Sequence, residues 1–117
     1  MIVAVLDDLM FTSKIKTAAA QLGADLTVVR SQPAALEAMR AKAPSLVIFD
    51  LNGRQTDPLG TVKAMKADPA LAGIATVGFV SHVQTDVIEA ARAAGVGDVM
   101  ARSAFTARLG DILAAHR

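Results

Sequence analysis

The sequence predicts an α/β domain built on one five-stranded parallel sheet. Short apolar runs alternate five times along the chain with segments whose apolar residues recur at helical spacing. Two of these runs, Ile2–Leu6 and Ser45–Phe49, are typical of short strands that are buried on both faces, as in a parallel sheet. Since 117 residues match the size of one ordinary domain, we expect a single domain, 1–117, with no linker and no output domain.

Each predicted strand is one of these short apolar runs, and none contains a proline. In chain order, the predicted strands are Ile2–Leu6, Leu26–Val29, Ser45–Phe49, Ile74–Val80 and Val96–Ala101. Right-handed crossovers between parallel strands then leave few possible topologies.

Residues that begin or end helices mark the segments between the strands. Gly23 and Gly95 end the first and fourth helices, because glycine readily adopts the left-handed backbone that closes a helix. The segments Ser31–Pro33 and Asp57–Pro58 supply a cap and a first turn for the second and third helices. The second helix is expected to close before Pro44.

The fourth helix is expected to begin at a cap formed by Thr85 or Asp86. Residues at helical spacing are predicted to face the core from the first, second, third and fifth helices: Phe11, Ile15, Ala18, Ala19, Leu22, Leu36, Met39, Leu59, Val62, Met65, Phe105, Leu109, Ile112 and Leu113. We expect Met10 and Met100, like Met39 and Met65, to pack in the core or at its rim.

The composition excludes several classes of protein. The chain has 12 Lys and Arg against 11 Asp and Glu residues, a net charge of +1, and no run of either sign. We therefore expect no direct nucleic-acid binding and no attraction to an anionic membrane. No apolar stretch approaches the roughly 18 residues of a membrane span. The chain has no cysteine and opens directly on a strand pattern, so we expect a cytoplasmic protein without disulfide or thiolate chemistry.

Carboxylates lie at the ends of two predicted strands. Asp7 and Asp8 follow the first strand, and Asp50 follows the third. In a parallel sheet these ends share one edge, where ligands bind near the reversal of strand order. Three neighbouring carboxylates repel one another unless a cation joins them. Their hard oxygens favour Mg2+, with the backbone carbonyl of Asn52 as a further ligand.

Two further residues are expected at the same edge. Ser81 follows the fourth strand and Arg102 follows the fifth. A metal-bound carboxylate beside a hydroxyl and a fixed cation suits phosphoryl transfer, because the cations neutralise charge on the transferring group. Arg102 by itself could also be a residue at the edge of the sheet that is satisfied by helix-terminal carbonyls or by Asp50, and a resting salt bridge to Asp50 would suit either interpretation.

These residues, taken together, resemble the receiver domains of two-component response regulators over the whole chain. The motifs that carry the resemblance are Asp7-Asp8 after the first strand, "LVIFDLN" with Asp50, "DP" at Asp57-Pro58, "VGFVSH" with Ser81, and "AGVGDVMARSAF" with Arg102. The resemblance implies a flavodoxin-like, doubly wound (βα)5 fold with strand order 2-1-3-4-5.

The resemblance also implies a function. A histidine kinase or phosphotransfer protein would phosphorylate Asp50, with Mg2+ held by Asp7, Asp8 and Asp50, while Ser81 and Arg102 sense the phosphoryl group. The domain would catalyse only its own phosphorylation and dephosphorylation, and would signal by contact with an unknown downstream protein. Whether it forms a homodimer stays open. Taken alone, an Asp-Asp pair after a strand is often just a helix cap with a solvated neighbour.

Four positions depart from the receiver pattern. Receivers usually carry Lys-Pro where this chain has Arg102-Ser103, and arginine differs from lysine in shape and hydration. His82 follows Ser81 and is a possible modulator of the site. Val99 occupies a position where many receivers place an aromatic residue.

Two other interpretations stay open. In the first, the chain is a pseudo-receiver, a constitutive interaction module in which Arg102 pins Asp50 permanently and His82 closes the pocket. In the second, it is a small Mg2+-dependent phosphatase or a flavin-binding protein. The second is disfavoured because no phosphate-binding glycine loop follows the first strand, and Trp and Tyr are absent.

Overall fold

The computed structural model of the protein describes residues 1–81 and 84–116. Within these residues, strands and helices alternate along the chain. The strands are β1 (Ile2–Val5), β2 (Leu26–Val29), β3 (Leu46–Asp50), β4 (Ala75–Val80) and β5 (Asp98–Ala101). The helices are α1 (Leu9–Leu22), α2 (Gln32–Lys42), α3 (Pro58–Ala67), α4 (Thr85–Ala94) and α5 (Arg102–His116).

The five strands form one parallel sheet in the order β2-β1-β3-β4-β5. Residues from α1 and α5 form a hydrophobic cluster on one face, and residues from α2, α3 and α4 form a second cluster on the other. The predicted flavodoxin-like α/β class and strand order are confirmed. The order reverses between β1 and β3, so the carboxyl ends of these two strands flank the place where such folds bind ligands.

Five strand boundaries differ from the prediction by one or two residues: β1 ends at Val5 and not Leu6, β3 is Leu46–Asp50 and not Ser45–Phe49, β4 begins at Ala75 and not Ile74, and β5 begins at Asp98 and not Val96. Two of these differences have clear local reasons. The third strand extends to Asp50, because Asp50 pairs with Phe79 and the next amide, Leu51 N, donates to Phe79 O at 3.0 Å. The fifth strand begins only at Asp98. The preceding Val96 N donates to Ala91 O at 3.0 Å, so that residue still belongs to the end of α4.

The predicted helix ends are confirmed at four places. Gly23 and Gly95 close α1 and α4 in the left-handed region, with φ of 65° and 112°. Ser31 caps α2 by accepting from Ala34 N, and Asp57 caps α3 by accepting from Gly60 N.

The predicted cap of α4 is wrong. Thr85 is the first residue of the helix, and Gln84 occupies the cap position without a capping hydrogen bond from its side chain. The Gln84 amide oxygen instead accepts a 2.6 Å hydrogen bond from Asn52 Nδ2. The Gln84 side chain therefore binds the loop after β3 and does not cap the helix.

The predicted inward-facing residues all contribute to the core. Ala18, Leu22, Leu36, Leu59 and Ile112 are partly buried at its margin, and the rest are buried. The prediction for Met10 is wrong, since its side chain is 87% exposed next to an exposed Leu9. The apolar face of α1 instead places Phe11 and Ile15 toward the core, and Met10, the residue before Phe11, lies outside that face. Among residues 1–81 and 84–116, no helix has the length and hydropathy of a membrane span.

The aromatic pair that joins α5 to the sheet gives a stability prediction. Phe105 is fully buried and its ring stacks on Phe79 with centroids 4.6 Å apart. Phe105→Ala should lower the free energy of unfolding by about 3–5 kcal/mol through lost burial and the cavity left behind. Urea unfolding followed by far-UV circular dichroism measures this, and Leu9→Ala, at an exposed position, should change little. A loss below about 1 kcal/mol for Phe105→Ala would contradict this packing.

Candidate functional site

The carboxyl ends of the strands bring together three of the predicted site residues in direct contact. Arg102 Nη2 lies 3.4 Å from Asp8 Oδ2 and 3.7 Å from Asp50 Oδ2. Asp8 follows β1, Asp50 ends β3, and Arg102 begins α5 just after β5. Of the two partners considered for Arg102, the structure shows Asp50, and it adds Asp8 as a second carboxylate.

Asp50 is a buried carboxylate whose two oxygens have different surroundings. Its side chain is only 4% exposed. Oδ1 accepts a 2.9 Å hydrogen bond from Asn52 N, and Oδ2 faces Arg102. Burial raises the pKa of Asp50 and the charges of Asp7 and Asp8 add to the increase, against the opposing effects of the Asn52 N–H and Arg102. The site therefore holds Asp50 in place while disfavouring its charge.

Asp8 serves both the helix and the site. Oδ1 caps α1 by accepting from Phe11 N at 3.0 Å, and Oδ2 pairs with Arg102. The hydrogen bond from Phe11 N–H lowers the pKa of Asp8, and the charge of Arg102 lowers it further against the effect of burial. The cap interpretation of this residue is confirmed, and its other oxygen pairs with Arg102 at the edge of the sheet.

Asp7 is turned toward the loop after β3. Its Oδ2 accepts a 2.9 Å hydrogen bond from Gln55 N. This bond ties the end of β1 to the segment that leads into α3. Asp7 is close enough for its charge to act on Asp50, so it belongs to the same acidic edge as predicted.

Two aromatic rings support the guanidinium of Arg102. Its Cζ lies 4.5 Å from the centroid of the Phe11 ring and 5.6 Å from that of Phe79. Contacts of this kind stabilise a cation over the face of a ring. Arg102 Nε is buried without a hydrogen-bond partner in the part of the chain that the structure describes. The guanidinium is thus held by the two carboxylates and the two rings.

Asn52 connects three segments around the site through its side chain. Its Nδ2 donates to Gln84 Oε1 at 2.6 Å, and its Oδ1 accepts from Ser81 N at 2.6 Å. The loop after β3, the end of β4 and the start of α4 are therefore linked at one amide. Ser81 itself is exposed just past β4. The predicted modulator, His82, lies outside the described residues.

Sequence reasoning missed the Asn52–Gln84 link and the two rings beneath Arg102. Phe11 and Phe79 carry only the signal of core residues, because periodicity shows which face a side chain occupies and not which polar group lies against its ring. Asn52 was predicted to contribute its backbone carbonyl, and its amide side chain gave no separate signal.

The donor set fits a divalent cation in kind, since it offers hard carboxylate oxygens. In the arrangement described, however, no group of three carboxylate or imidazole side chains among residues 1–81 and 84–116 is placed to hold a metal ion. One oxygen each of Asp7, Asp8 and Asp50 accepts a backbone N–H. The second oxygens of Asp8 and Asp50 face Arg102. A metal that used these two oxygens would therefore displace the guanidinium.

A groove of about 420 Å³ opens beside the acidic edge, between the starts of α1 and α5. Its lining residues are Asp8, Met10, Phe11, Lys14, Arg102 and Thr106. The exposed side chain of Met10 thus borders the site from the side of α1.

Comparison with known proteins identifies the fold of the chain. No protein-family model matches the chain. No curated protein matches it either. Solved structures do match over nearly the whole chain. The Vibrio cholerae chemotaxis protein CheY4, crystallised at low pH, is 14% identical, with a TM-score of 0.85 over 99% of this chain and 97% of that one.

Two further solved structures are response regulators in defined states. The phosphorylated cyanobacterial phytochrome response regulator RcpA is 23% identical, with a TM-score of 0.76 over 97% of this chain and 89% of that one. The Mn2+-bound form of response regulator Rcp1 is 20% identical, with a TM-score of 0.77 over 97% and 88%. The chain therefore has the fold of response-regulator receiver domains, which confirms the resemblance at the level of fold.

The raised pKa of Asp50 predicts a pH-dependent gain in stability for Asp50→Asn. A carboxyl whose folded pKa lies above its ordinary value of 3.8 favours the fold when protonated and loses that contribution as pH rises through the folded pKa. Neutral Asn should therefore raise the unfolding temperature by a few degrees at about pH 7, with the difference shrinking toward about pH 3.

Thermal unfolding of both proteins across this pH range, followed by circular dichroism, measures the effect. Asp98→Asn is the control, because the side chain of Asp98 is 52% exposed and pairs with a surface arginine, Arg108, away from the acidic edge. A lower unfolding temperature for Asp50→Asn at neutral pH would mean that pairing with Arg102 outweighs burial.

Proposed function

We propose that the chain, 1–117, is a response-regulator receiver that accepts a phosphoryl group on Asp50. The observation that carries this proposal is the placement of Asp50 at the end of β3. There one carboxylate oxygen is fixed by Asn52 N–H and the other faces a cation at the sheet edge. A nucleophile held in one orientation beside a fixed positive charge is suited to phosphoryl transfer.

In the proposed reaction, an oxygen of Asp50 forms a bond to phosphorus as the phosphorus–nitrogen bond of a phosphohistidine breaks. The electron pair of the broken bond returns to the imidazole nitrogen of the donor protein. Arg102 lies where its charge would neutralise the equatorial phosphoryl oxygens. The donor would be a histidine kinase or a phosphotransfer protein, in keeping with the receiver fold.

Mg2+ is the cofactor that the donor set favours. Asp7, Asp8 and Asp50 would hold it, with the backbone carbonyl of Asn52 as a neutral ligand. When bound, the ion supplies charge neutralisation at the phosphoryl group. Support comes from the chemistry of these oxygens and from the Mn2+-bound form of Rcp1, a protein of the same fold.

The signal would leave the domain by protein contact. Ser81 and Arg102 would respond to the new phosphoryl oxygens, and the linked segments at Asn52 and Gln84 would move with them. The output is a downstream protein or a second copy of the chain in the cytoplasm, without direct binding to nucleic acid. The only chemistry assigned to the domain is its own phosphorylation and dephosphorylation.

The ion pairs of Arg102 favour a second candidate function. A guanidinium that pairs with both Asp8 and Asp50 and rests on two rings already supplies the positive charge that a receiver otherwise gains from its metal. In this alternative the chain is a pseudo-receiver that binds its partner constitutively.

Intact mass spectrometry after incubation with acetyl phosphate and Mg2+ distinguishes the receiver from the pseudo-receiver. We expect wild type and Asp98→Asn to gain the mass of one phosphoryl group and Asp50→Asn to gain none. The modification should be removed by hydroxylamine, which cleaves acyl phosphates. A folded wild-type protein that gains no mass with acetyl phosphate, phosphoramidate or a phosphorylated phosphotransfer protein would contradict the receiver proposal and leave the pseudo-receiver.

A further inference from the structure

The position of Arg102 sets a condition on any metal that binds here. Its Nη2 lies within 4 Å of one oxygen from Asp8 and one from Asp50, at 3.4 and 3.7 Å. The other oxygen of each carboxylate accepts a backbone N–H. A cation between the two carboxylates would use the oxygens that face Arg102, and a guanidinium and a divalent ion cannot both occupy the space between them.

The contacts of Arg102 fit two positions of its side chain, one paired with the carboxylates and one outside the site. In the paired state its guanidinium rests on the rings of Phe11 and Phe79 and is stabilised there. The same state leaves Nε buried without a partner in the described part of the chain, which costs free energy that contact with water would recover. The side chain is 31% exposed and borders an open groove, so it has a route out of the site.

We propose that Arg102 is a resident cation that competes with a divalent metal ion for Asp8 and Asp50. The two carboxylates are paired with Arg102 or with the metal, and each cation weakens the binding of the other. The inference rests on the proposed function, because it concerns the same carboxylates. It adds that divalent metal binds weakly to the wild-type site and that Arg102 sets this affinity.

Mn2+ binding tests the competition without requiring phosphorylation. The loss of the electron paramagnetic resonance signal of free Mn2+ on titration with protein gives the dissociation constant. Arg102→Gln and Arg102→Ala should bind Mn2+ about tenfold more tightly or better, because one unit charge close to two carboxylates is removed. Arg108→Ala is the matched control, since Arg108 lies on the same helix and pairs with Asp98 away from the site, and it should bind like wild type.

Arg102→Gln keeps the stem of the side chain, so it decides the result if Arg102→Ala does not fold by circular dichroism. The double variant Arg102→Gln, Asp50→Asn should lose the gain in Mn2+ affinity. That loss would show that the more tightly bound ion lies at this site. Wild-type affinity or weaker in folded Arg102→Gln would overturn the proposal, as would the absence of Mn2+ binding in both proteins.

The outcomes also separate this inference from the proposed function. Phosphorylation of Asp50 with no change of Mn2+ affinity in Arg102→Gln would overturn the competition alone. Tighter Mn2+ binding in Arg102→Gln, with no phosphorylation of any variant, would overturn the receiver function and leave the competition standing.

Discussion

The guanidinium of Arg102 lies between the carboxylates of Asp8 and Asp50 and places a positive charge within the acidic edge of the sheet. Parallel strands bring the acids together, and burial makes ionised Asp50 unfavourable. Without a cation the three carboxylates would repel one another at the carboxyl ends of the two central strands. Arginine suits this position because its flat guanidinium can pair with oxygens at its rim while its face rests on aromatic rings.

The core and the site share residues, so packing and charge are coupled. Phe79 stacks on Phe105 within the core, and Phe11 lies 5.0 Å from Phe79 by ring centroids. The outer faces of Phe11 and Phe79 carry Arg102. A movement of Arg102 would therefore change what these rings contact. Because Phe79 also stacks on Phe105, the change would extend to a buried residue one turn further along α5.

The sequence contained enough to predict the sheet and the location of the site. Buried apolar runs that end at Asp7, Asp50, Ser81 and Arg102 can share one edge only if the strands are parallel, and that edge is where the structure has them. The partners of each side chain were less predictable. The link from Asn52 to Gln84 joins positions 32 residues apart, and the exposure of Met10 depends on how far α1 is rotated against the sheet. Such details follow from tertiary packing, which residue spacing does not encode.

The most direct test of the role assigned to Arg102 is the pKa of Asp50 itself, measured by carbon-13 NMR of its carboxyl group across a pH titration. The comparison is between wild type and Arg102→Gln without metal. Because the charge of Arg102 lowers this pKa while burial and the neighbouring acids raise it, the account predicts a higher pKa in Arg102→Gln. The same pKa in both folded proteins would contradict it, since Arg102 would then not be the charge that stabilises the acidic edge.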